Sequence, residues 1–508
     1  MIDGVSHRSK HRKANSIIYA GFQEVGPDNS SEEAGEQTMV KSAAEPVERS
    51  VWTERNSAKP PVTTTQSVGQ TDSGLSRIRK AAKENADLQF NNLYSHLSLS
   101  LLWDAYFNLK KQAASGVDGV SWEDYGKDLR PKLKILHQKL HTKQYKPQAS
   151  KRVWIPKPDG EQRPLGIAAV EDKIVQQALL WIMESVYEED FQGFSYGFRP
   201  GRSQHNALDA VYIALTQKKV SWVLDADIKG FFNHISHEWM LKFIKHRITD
   251  CRVLALTELF LKAGVSEDGQ WSRSVEGTPQ GAVISPLYAN IYLHYVLDLW
   301  VHQWRKKHAR GEVYVVRYAD DSIYGFQYQS DAKAFHYLLQ KRLEKFGLSL
   351  HENKTRLIEF GRFAETNRIA RKVGKPETFN FLGFTHICAK KRSDGKFIVR
   401  RKTIRKKQTT KLNKLKVEIA RCRHLNVHFQ GAWLRSVVWG YYNYYGVPGN
   451  RKSLEGFRSE VCRAWFKSLR RRSQKATKLN WFKFQWLIRR YIPSVKNTHP
   501  YPNQRFYV

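Results

Sequence analysis

Val313-Tyr314-Val315-Val316-Arg317-Tyr318-Ala319-Asp320-Asp321-Ser322-Ile323-Tyr324-Gly325-Phe326 is the stretch that decides the fold. Its two ends are rich in β-branched and aromatic residues, and its middle is small and polar, as a tight turn requires. The pattern predicts a hairpin carrying two adjacent carboxylates at its tip. Upstream, Trp222-Val223-Leu224-Asp225-Ala226-Asp227-Ile228 reads as a buried strand. Asp225 and Asp227 are two apart, so they project from the same face. A hairpin tip with two aspartates beside a strand with a third can hold two divalent cations about 4 Å apart, the arrangement that activates an attacking hydroxyl and stabilises a leaving group. Hard carboxylate oxygens suit Mg²⁺. The residues therefore point to nucleotidyl transfer.

Charge points the same way. The chain of 508 residues carries 84 Lys+Arg against 48 Asp+Glu, a formal net charge of +36. A surplus of this size is the footprint of a polyanion partner. It is unevenly placed. Residues 391–508 hold 30 Lys+Arg against 4 Asp+Glu, net +26, whereas residues 1–75 hold 8 against 10, net −2. The basic region also carries Trp433, Trp439, Tyr441, Tyr442, Tyr444, Tyr445, Trp465, Phe466, Trp481 and Trp486. Cations interleaved with aromatics can follow phosphates and stack on bases. They can equally be the solvated face and aromatic core of a helical domain. No apolar run approaches the roughly 20 residues of a spanning helix, so no membrane partner is expected. Cys251, Cys388, Cys422 and Cys462 form no CxxC pair. A zinc site or disulfide framework is not expected, and a reducing compartment fits.

Composition divides the chain into a disordered 1–75, poor in large apolar residues, a mixed region 76–390, and a helical basic region 391–508. Helices are expected at 171–190, 203–217, 236–263 and 285–308. A hairpin is expected over 150–170, and a short strand pair at Phe379–Thr385. The fold class is α+β.

Taken in order, several motifs resemble those of the group II intron-encoded reverse transcriptases. They are Gly116-Val117-Asp118-Gly119; Trp154 to Gly160 with Arg163-Pro164-Leu165-Gly166-Ile167; Phe194-Ser195-Tyr196-Gly197-Phe198-Arg199-Pro200-Gly201-Arg202-Ser203; and Asp227-Ile228-Lys229-Gly230-Phe231-Phe232. Further along come Gly277-Thr278-Pro279-Gln280-Gly281; Tyr318 to Asp321; Glu352-Asn353-Lys354-Thr355; Phe381-Leu382-Gly383-Phe384; and Arg435 to Tyr445. The resemblance covers roughly 90–508. It implies a right-hand polymerase, with fingers, a palm built on an antiparallel sheet, and a thumb that continues into a basic maturase region.

It also implies roles. Asp227, Asp320 and Asp321 would hold two Mg²⁺, with Mn²⁺ as a substitute, and Asp225 is the local competitor. Lys354 would protonate the leaving pyrophosphate. Lys157, Arg163, Phe232 and Gln280 would bind the incoming deoxynucleotide, with the Phe232 ring excluding a 2′-hydroxyl. Phe381, Leu382 and Gly383 would form the primer grip. Arg435, Tyr441, Tyr444, Arg463, Arg470, Arg471 and Arg472 would bind RNA. The expected partners are structured intron RNA, an RNA template, a DNA primer or target, and dNTPs. The bacterial cytoplasm, close to the nucleoid, is the expected location. Dimerisation is left open. The Cys pairs and His-rich motifs of the family's endonuclease domain do not occur, so target-strand cleavage is not expected. Two other readings stay open: a splicing-only RNA-binding maturase, and a domesticated reverse transcriptase used in defence or repair.

Overall fold

The computed structural model of the protein describes residues 72–156, 162–267, 270–272 and 276–505. The expected disorder of 1–75 falls mainly outside the described residues. Its last four positions belong to a helix, Asp72–Glu84.

Three sheets organise the described residues. β1 (Ser150–Pro156) and β2 (Gln162–Ile167) form the expected hairpin, Val153 opposite Leu165. β3 (Trp222–Asp227) belongs to a separate sheet. β4 (Val265–Glu267) and β5 (Gln270–Ser272) extend the first sheet in the order β2-β1-β4-β5. β6 (Val313–Tyr318), β7 (Asp321–Phe326) and β8 (Arg356–Glu359) complete the second sheet, antiparallel throughout, in the order β6-β7-β3-β8. β9 (Phe379–Phe381), β10 (Phe384–Lys390) and β11 (Phe397–Thr403) form a third.

Two apolar cores lie under these elements. One joins the second and third sheets to helix Gln204–Gln217 through Leu208, Val211, Val223, Ile323, Phe381 and Val399. The other unites four basic helices, Arg405–Arg421, Val427–Tyr445, Arg451–Arg470 and Trp481–Tyr491, around Leu434, Phe457, Trp465 and Phe484. Burying one such large apolar side chain is worth about 1.5–3 kcal/mol.

Three expectations are corrected. The helix read over 236–263 is two, His237–Lys245 and Cys251–Lys262, because the Asp250 side chain caps the second and also accepts the Tyr94 amide at 2.8 Å. Such local side-chain bonds compete with helix continuation. The helix read over 285–308 runs as Ser285–Leu293 and Leu299–Lys307, joined by a π turn at His294–Asp298. The boundary expected at 390/391 falls inside a hairpin, since β11 pairs with β10 and the basic helices begin only at Arg405. A run of three consecutive cations, Arg400 to Lys402, hid a strand whose inward positions, Val399, Arg401 and Thr403, are buried.

Candidate active site

The hairpin and the β3 strand bring their carboxylates together as expected. Asp321 opens β7, and its register partners are Asp227 on β3 and Tyr318 on β6. Directly opposed residues share a face, with Cβ atoms about 5 Å apart. Asp227, Asp321 and Tyr318 therefore stand side by side. Ala319 and Asp320 make the link, and Ala319 takes a φ of +57°, a region that non-glycine residues enter rarely. Asp321 keeps a solvent-exposed side chain. The surrounding protein, followed by the charges of Asp320 and Asp227, still pushes its carboxyl up to about 7. Asp320 is raised as well, by burial and then by Asp227. Asp225 is raised to about 7 by burial and then by Asp321.

Several cations oppose this repulsion, Arg317 and Arg356 among them. Lys354 Nζ lies 3.0 Å from Asp227 Oδ2. Arg163 acts on Asp320. Lys407, in the first turn of helix Arg405–Arg421, acts on Asp321. Lys407 was not singled out from the sequence, where it is one cation in a run of them.

The donor chemistry suits a hard divalent cation: oxygen-only ligands, like-charged and crowded, at the rim of a sheet. They are neighbours and not a closed cage. Among the described residues no three His, Cys, Asp or Glu side chains are already gathered as a ligand cluster.

Behind the turn lies a support the sequence reading missed. Arg317, only 1% exposed, places Nε 2.7 Å and Nη2 2.5 Å from the two carboxylate oxygens of Asp298, itself fully buried. The same guanidinium donates to Ala319 O at 3.0 Å, to Ser195 Oγ at 2.7 Å and to Asn290 Oδ1 at 3.2 Å. The π turn carries Asp298. Gly197 packs so tightly that a Cβ there would lie 2.2 Å from Ala319 N. The backbone of the catalytic turn is thus clamped from behind. A charge inside an otherwise apolar strand was the available signal, since a buried arginine must be paired.

Phe232 and Gln280, two of the four residues expected to bind nucleotide, line a cleft of about 480 Å³ together with Arg152, Trp154, Pro164 and Thr278 among others. The Gly277–Gly281 loop is stitched to both walls. Gly166 N donates to Gln280 O at 2.7 Å, and Thr278 N donates to Phe232 O at 2.9 Å. Gly281, at φ +109°, would bring a Cβ within 2.9 Å of Gly166 O. Phe231 is core, and Phe232 stays half-buried at the cleft. Arg163 is exposed on β2. Lys157 lies outside the described residues. Phe232→Ala is expected to raise ribonucleotide incorporation at least tenfold relative to deoxynucleotide, read as the ratio of kcat/KM for the two sugars. An unchanged ratio would remove Phe232 from sugar selection.

The primer-grip set is split. The Phe381 side chain is buried in the core, so it supports the turn and does not reach a strand above it. Leu382 and Gly383 form the turn itself, at φ +43° and +85°. Leu382 O accepts from the Tyr444 hydroxyl at 2.8 Å.

One of the RNA-binding assignments, Tyr441, is corrected. Tyr441 is buried, stacked on Phe457 at 3.7 Å and 7°. Tyr444 is half-buried and committed to Leu382. Aromatics at helical spacing filled the core. The arginines do face outward: Arg470 and Arg471 are exposed, Arg463 pairs with Glu460, Arg435 donates to Arg490 O at 2.6 Å, and Arg472, half-buried, donates to His424 O at 3.2 Å. Other aromatics are exposed, among them Phe482 at 82%, Phe429 at 60% and Trp486 at 55%.

The sequence profile of the family described as reverse transcriptase (RNA-dependent DNA polymerase) matches residues 155–386, which include all three aspartates. This part of the chain is a reverse transcriptase domain. The chain is 38% identical over 238 residues to the group II intron-encoded protein LtrA of Lactococcus lactis subsp. cremoris, covering 46% of this chain and 39% of the relative. It is 41% identical over 191 residues to protein YkfC of Escherichia coli (strain K12), covering 37% of this chain and 50% of the relative. It is 26% identical over 429 residues to the putative COX1/OXI3 intron 1 protein of Saccharomyces cerevisiae, covering 73% of this chain and 50% of the relative. These relatives include a group II intron-encoded protein, and the chain spans half or less of their length.

Proposed function

We propose that the protein is an RNA-directed DNA polymerase that extends a 3′-hydroxyl primer on an RNA template, and that it also assists the splicing and mobility of a group II intron. The observation that carries the reading is the Asp227–Asp321 register, with Asp320 in the adjoining turn, together with a cleft between the β1–β2 hairpin and the Gly277–Gly281 loop that Phe232 and Gln280 line. Asp227, Asp320 and Asp321 would hold two Mg²⁺. When bound, the cations lower the pKa of the attacking hydroxyl and neutralise the charge that develops on the leaving pyrophosphate. Phe232 and the Gly277–Gly281 backbone bound the pocket and place the sugar. Arg163, which already acts on Asp320, meets the triphosphate from the fingers side. Lys354, beside Asp227, delivers the proton to the leaving pyrophosphate.

The thumb helices would grip RNA. Arg463, Lys467 and Arg471 line one side of a groove of about 360 Å³, with Lys416 and Arg423 on the other. Phe482 and Trp486 lie four apart on helix Trp481–Tyr491, hence on one face, and Arg490 follows four residues on with its guanidinium 5.2 Å from the Trp486 ring. Such a face stacks unpaired bases while its cations meet phosphates. Phe482→Ala/Trp486→Ala is expected to weaken single-stranded RNA binding roughly tenfold or more with little change in salt slope. Arg463→Ala/Arg471→Ala should lower the slope itself by one to two. Fluorescence anisotropy across a salt series separates the two. Wild-type affinity in both variants would move the RNA grip elsewhere. No described helix is long and apolar enough to cross a membrane.

A further inference from the structure

His237 is the first residue of helix His237–Lys245, and its side chain is buried. Its Nε2 lies 2.7 Å from Gly277 O. A carbonyl oxygen only accepts, so Nε2 carries a ring proton and donates it. Burial lowers the pKa of the imidazole, and the bond to Gly277 O opposes that shift. The ring is thus a fixed donor aimed at the first residue of the Gly277–Gly281 loop.

Hydrogen bonds carry much of that loop's anchoring. Gly277 and Gly281, at φ +82° and +109°, have no side chain to pack, and Pro279 has no amide to donate. Two backbone bonds tie the loop to the segment that carries Phe232. Gly277 N donates to Ile235 O at 2.8 Å, and Thr278 N donates to Phe232 O at 2.9 Å. His237 adds a third from the same segment, made by a side chain. The two segments touch here: a Cβ on Gly277 would stand 2.8 Å from Asn233 O and 2.9 Å from Phe232 O. Both then enter the cleft, with Phe232 and Asn233 from one and Thr278, Pro279 and Gln280 from the other. A shift of the Gly277 carbonyl therefore changes the gap between the Phe232 ring and Gln280.

We propose that His237 is a positioning residue for nucleotide selection: by holding Gly277 O it fixes the spacing between Phe232 and the Gln280 loop, and so sets how closely the pocket fits a deoxyribose. The inference rests on the polymerase reading and on Phe232 as the residue that faces the sugar. His237 is not among the residues that line the cleft. It acts through its neighbours, so its loss costs nucleotide affinity and sugar discrimination and leaves the chemistry at the aspartates in place.

The test compares wild type, His237→Leu, His237→Gln, Phe232→Ala and the double variant His237→Leu/Phe232→Ala in single-nucleotide extension of a DNA primer on an RNA template. Leucine removes the donor, whereas glutamine restores an N–H at the reach of Nε2. The readout is the ratio of kcat/KM for deoxynucleotide over ribonucleotide. Both substrates are measured on one preparation, so a fraction of unfolded protein leaves the ratio unmoved. His237→Leu is expected to lower the ratio roughly tenfold and to raise the dNTP KM with kcat within about twofold of wild type. His237→Gln should stay close to wild type. In the Phe232→Ala background, His237→Leu should lower the ratio little further, because residues acting through one contact are not additive. A wild-type ratio in His237→Leu overturns the proposal, as does a loss that adds in full to that of Phe232→Ala. Equal losses in the leucine and glutamine variants would place the effect in ring packing and overturn the role of the hydrogen bond. These outcomes leave the polymerase reading standing, whereas no deoxynucleotide addition by wild type overturns that reading and the proposal with it.

Discussion

Asp298→Ala is expected to destabilise the protein by roughly 3–5 kcal/mol and to extinguish nucleotidyl transfer, because it leaves the Arg317 guanidinium buried without its counter-charge. The partner charge is wholly inside: Arg317 is 1% exposed and Asp298 0%. The expected loss is far larger than for an exposed pair such as Lys242–Glu238, where Glu238→Ala should change stability by at most about 0.5 kcal/mol. Urea unfolding of the two variants, run side by side, checks this. Activity separates from stability in a further variant. Replacing both partners with apolar residues, Arg317→Met/Asp298→Leu, should recover much of the lost stability. It should not recover activity, since nothing then donates to Ala319 O, the bond that fixes the turn. Full activity in the double variant would show that the clamp serves folding alone. Gly197→Ala approaches the same turn from another direction. Its Cβ would collide with the Ala319 amide at 2.2 Å, a backbone contact that cannot swing aside.

Asp321→Asn is expected to lower primer extension by roughly three orders of magnitude, about 4 kcal/mol of transition-state stabilisation, since an amide is a far poorer ligand for a hard divalent cation. The same change should raise the unfolding temperature in the absence of divalent metal. The Asp321 carboxyl is pushed up to about 7 by the surrounding protein and by Asp320 and Asp227, against an ordinary value near 3.9. A raised folded-state value means that the stability present with the group protonated is lost as pH rises toward 7. The asparagine variant should therefore show no advantage near pH 4, a growing one between pH 4 and 7, and a constant one above. Adding Mg²⁺ should reverse the order at pH 8, because the cation binds the folded wild type and stabilises it by mass action. A wild type whose unfolding temperature ignores both pH and Mg²⁺ would contradict the crowded carboxylate site.

Much of this site was legible because its signals are local. A hairpin with two carboxylates at its tip follows from β-propensity and turn chemistry alone, and the positions Asp320 and Asp321 in the turn and at the head of β7 match it. Asp227 could be chosen over Asp225 only from motif order, since both project from one face. The register then places Asp227 opposite Asp321 and Asp225 opposite Ile323. What the sequence hid depends on contacts far apart in the chain. Arg317 and Asp298 are 19 residues apart, and Arg317 and Ser195 are 122 apart; no periodicity announces either. Tyr441 looked like a base-stacking residue because composition cannot tell an aromatic core from an aromatic surface. Phe457, on the neighbouring helix Arg451–Arg470, decides the matter by stacking on it. β11 was lost for a similar reason, since Arg400, Arg401 and Lys402 read as a basic run until Arg401 is seen buried against Asp209 at 2.8 Å.

The central claim is that these carboxylates polymerise DNA on RNA. Purified protein, a DNA primer annealed to an RNA template, Mg²⁺ and the four deoxynucleotides test it directly, with Asp320→Ala alongside. The account predicts template-length extension by wild type and none by the variant, with both binding the duplex equally well. Extension by Asp320→Ala would contradict the assignment of the site, and no extension by a wild type that binds the duplex would contradict the polymerase itself.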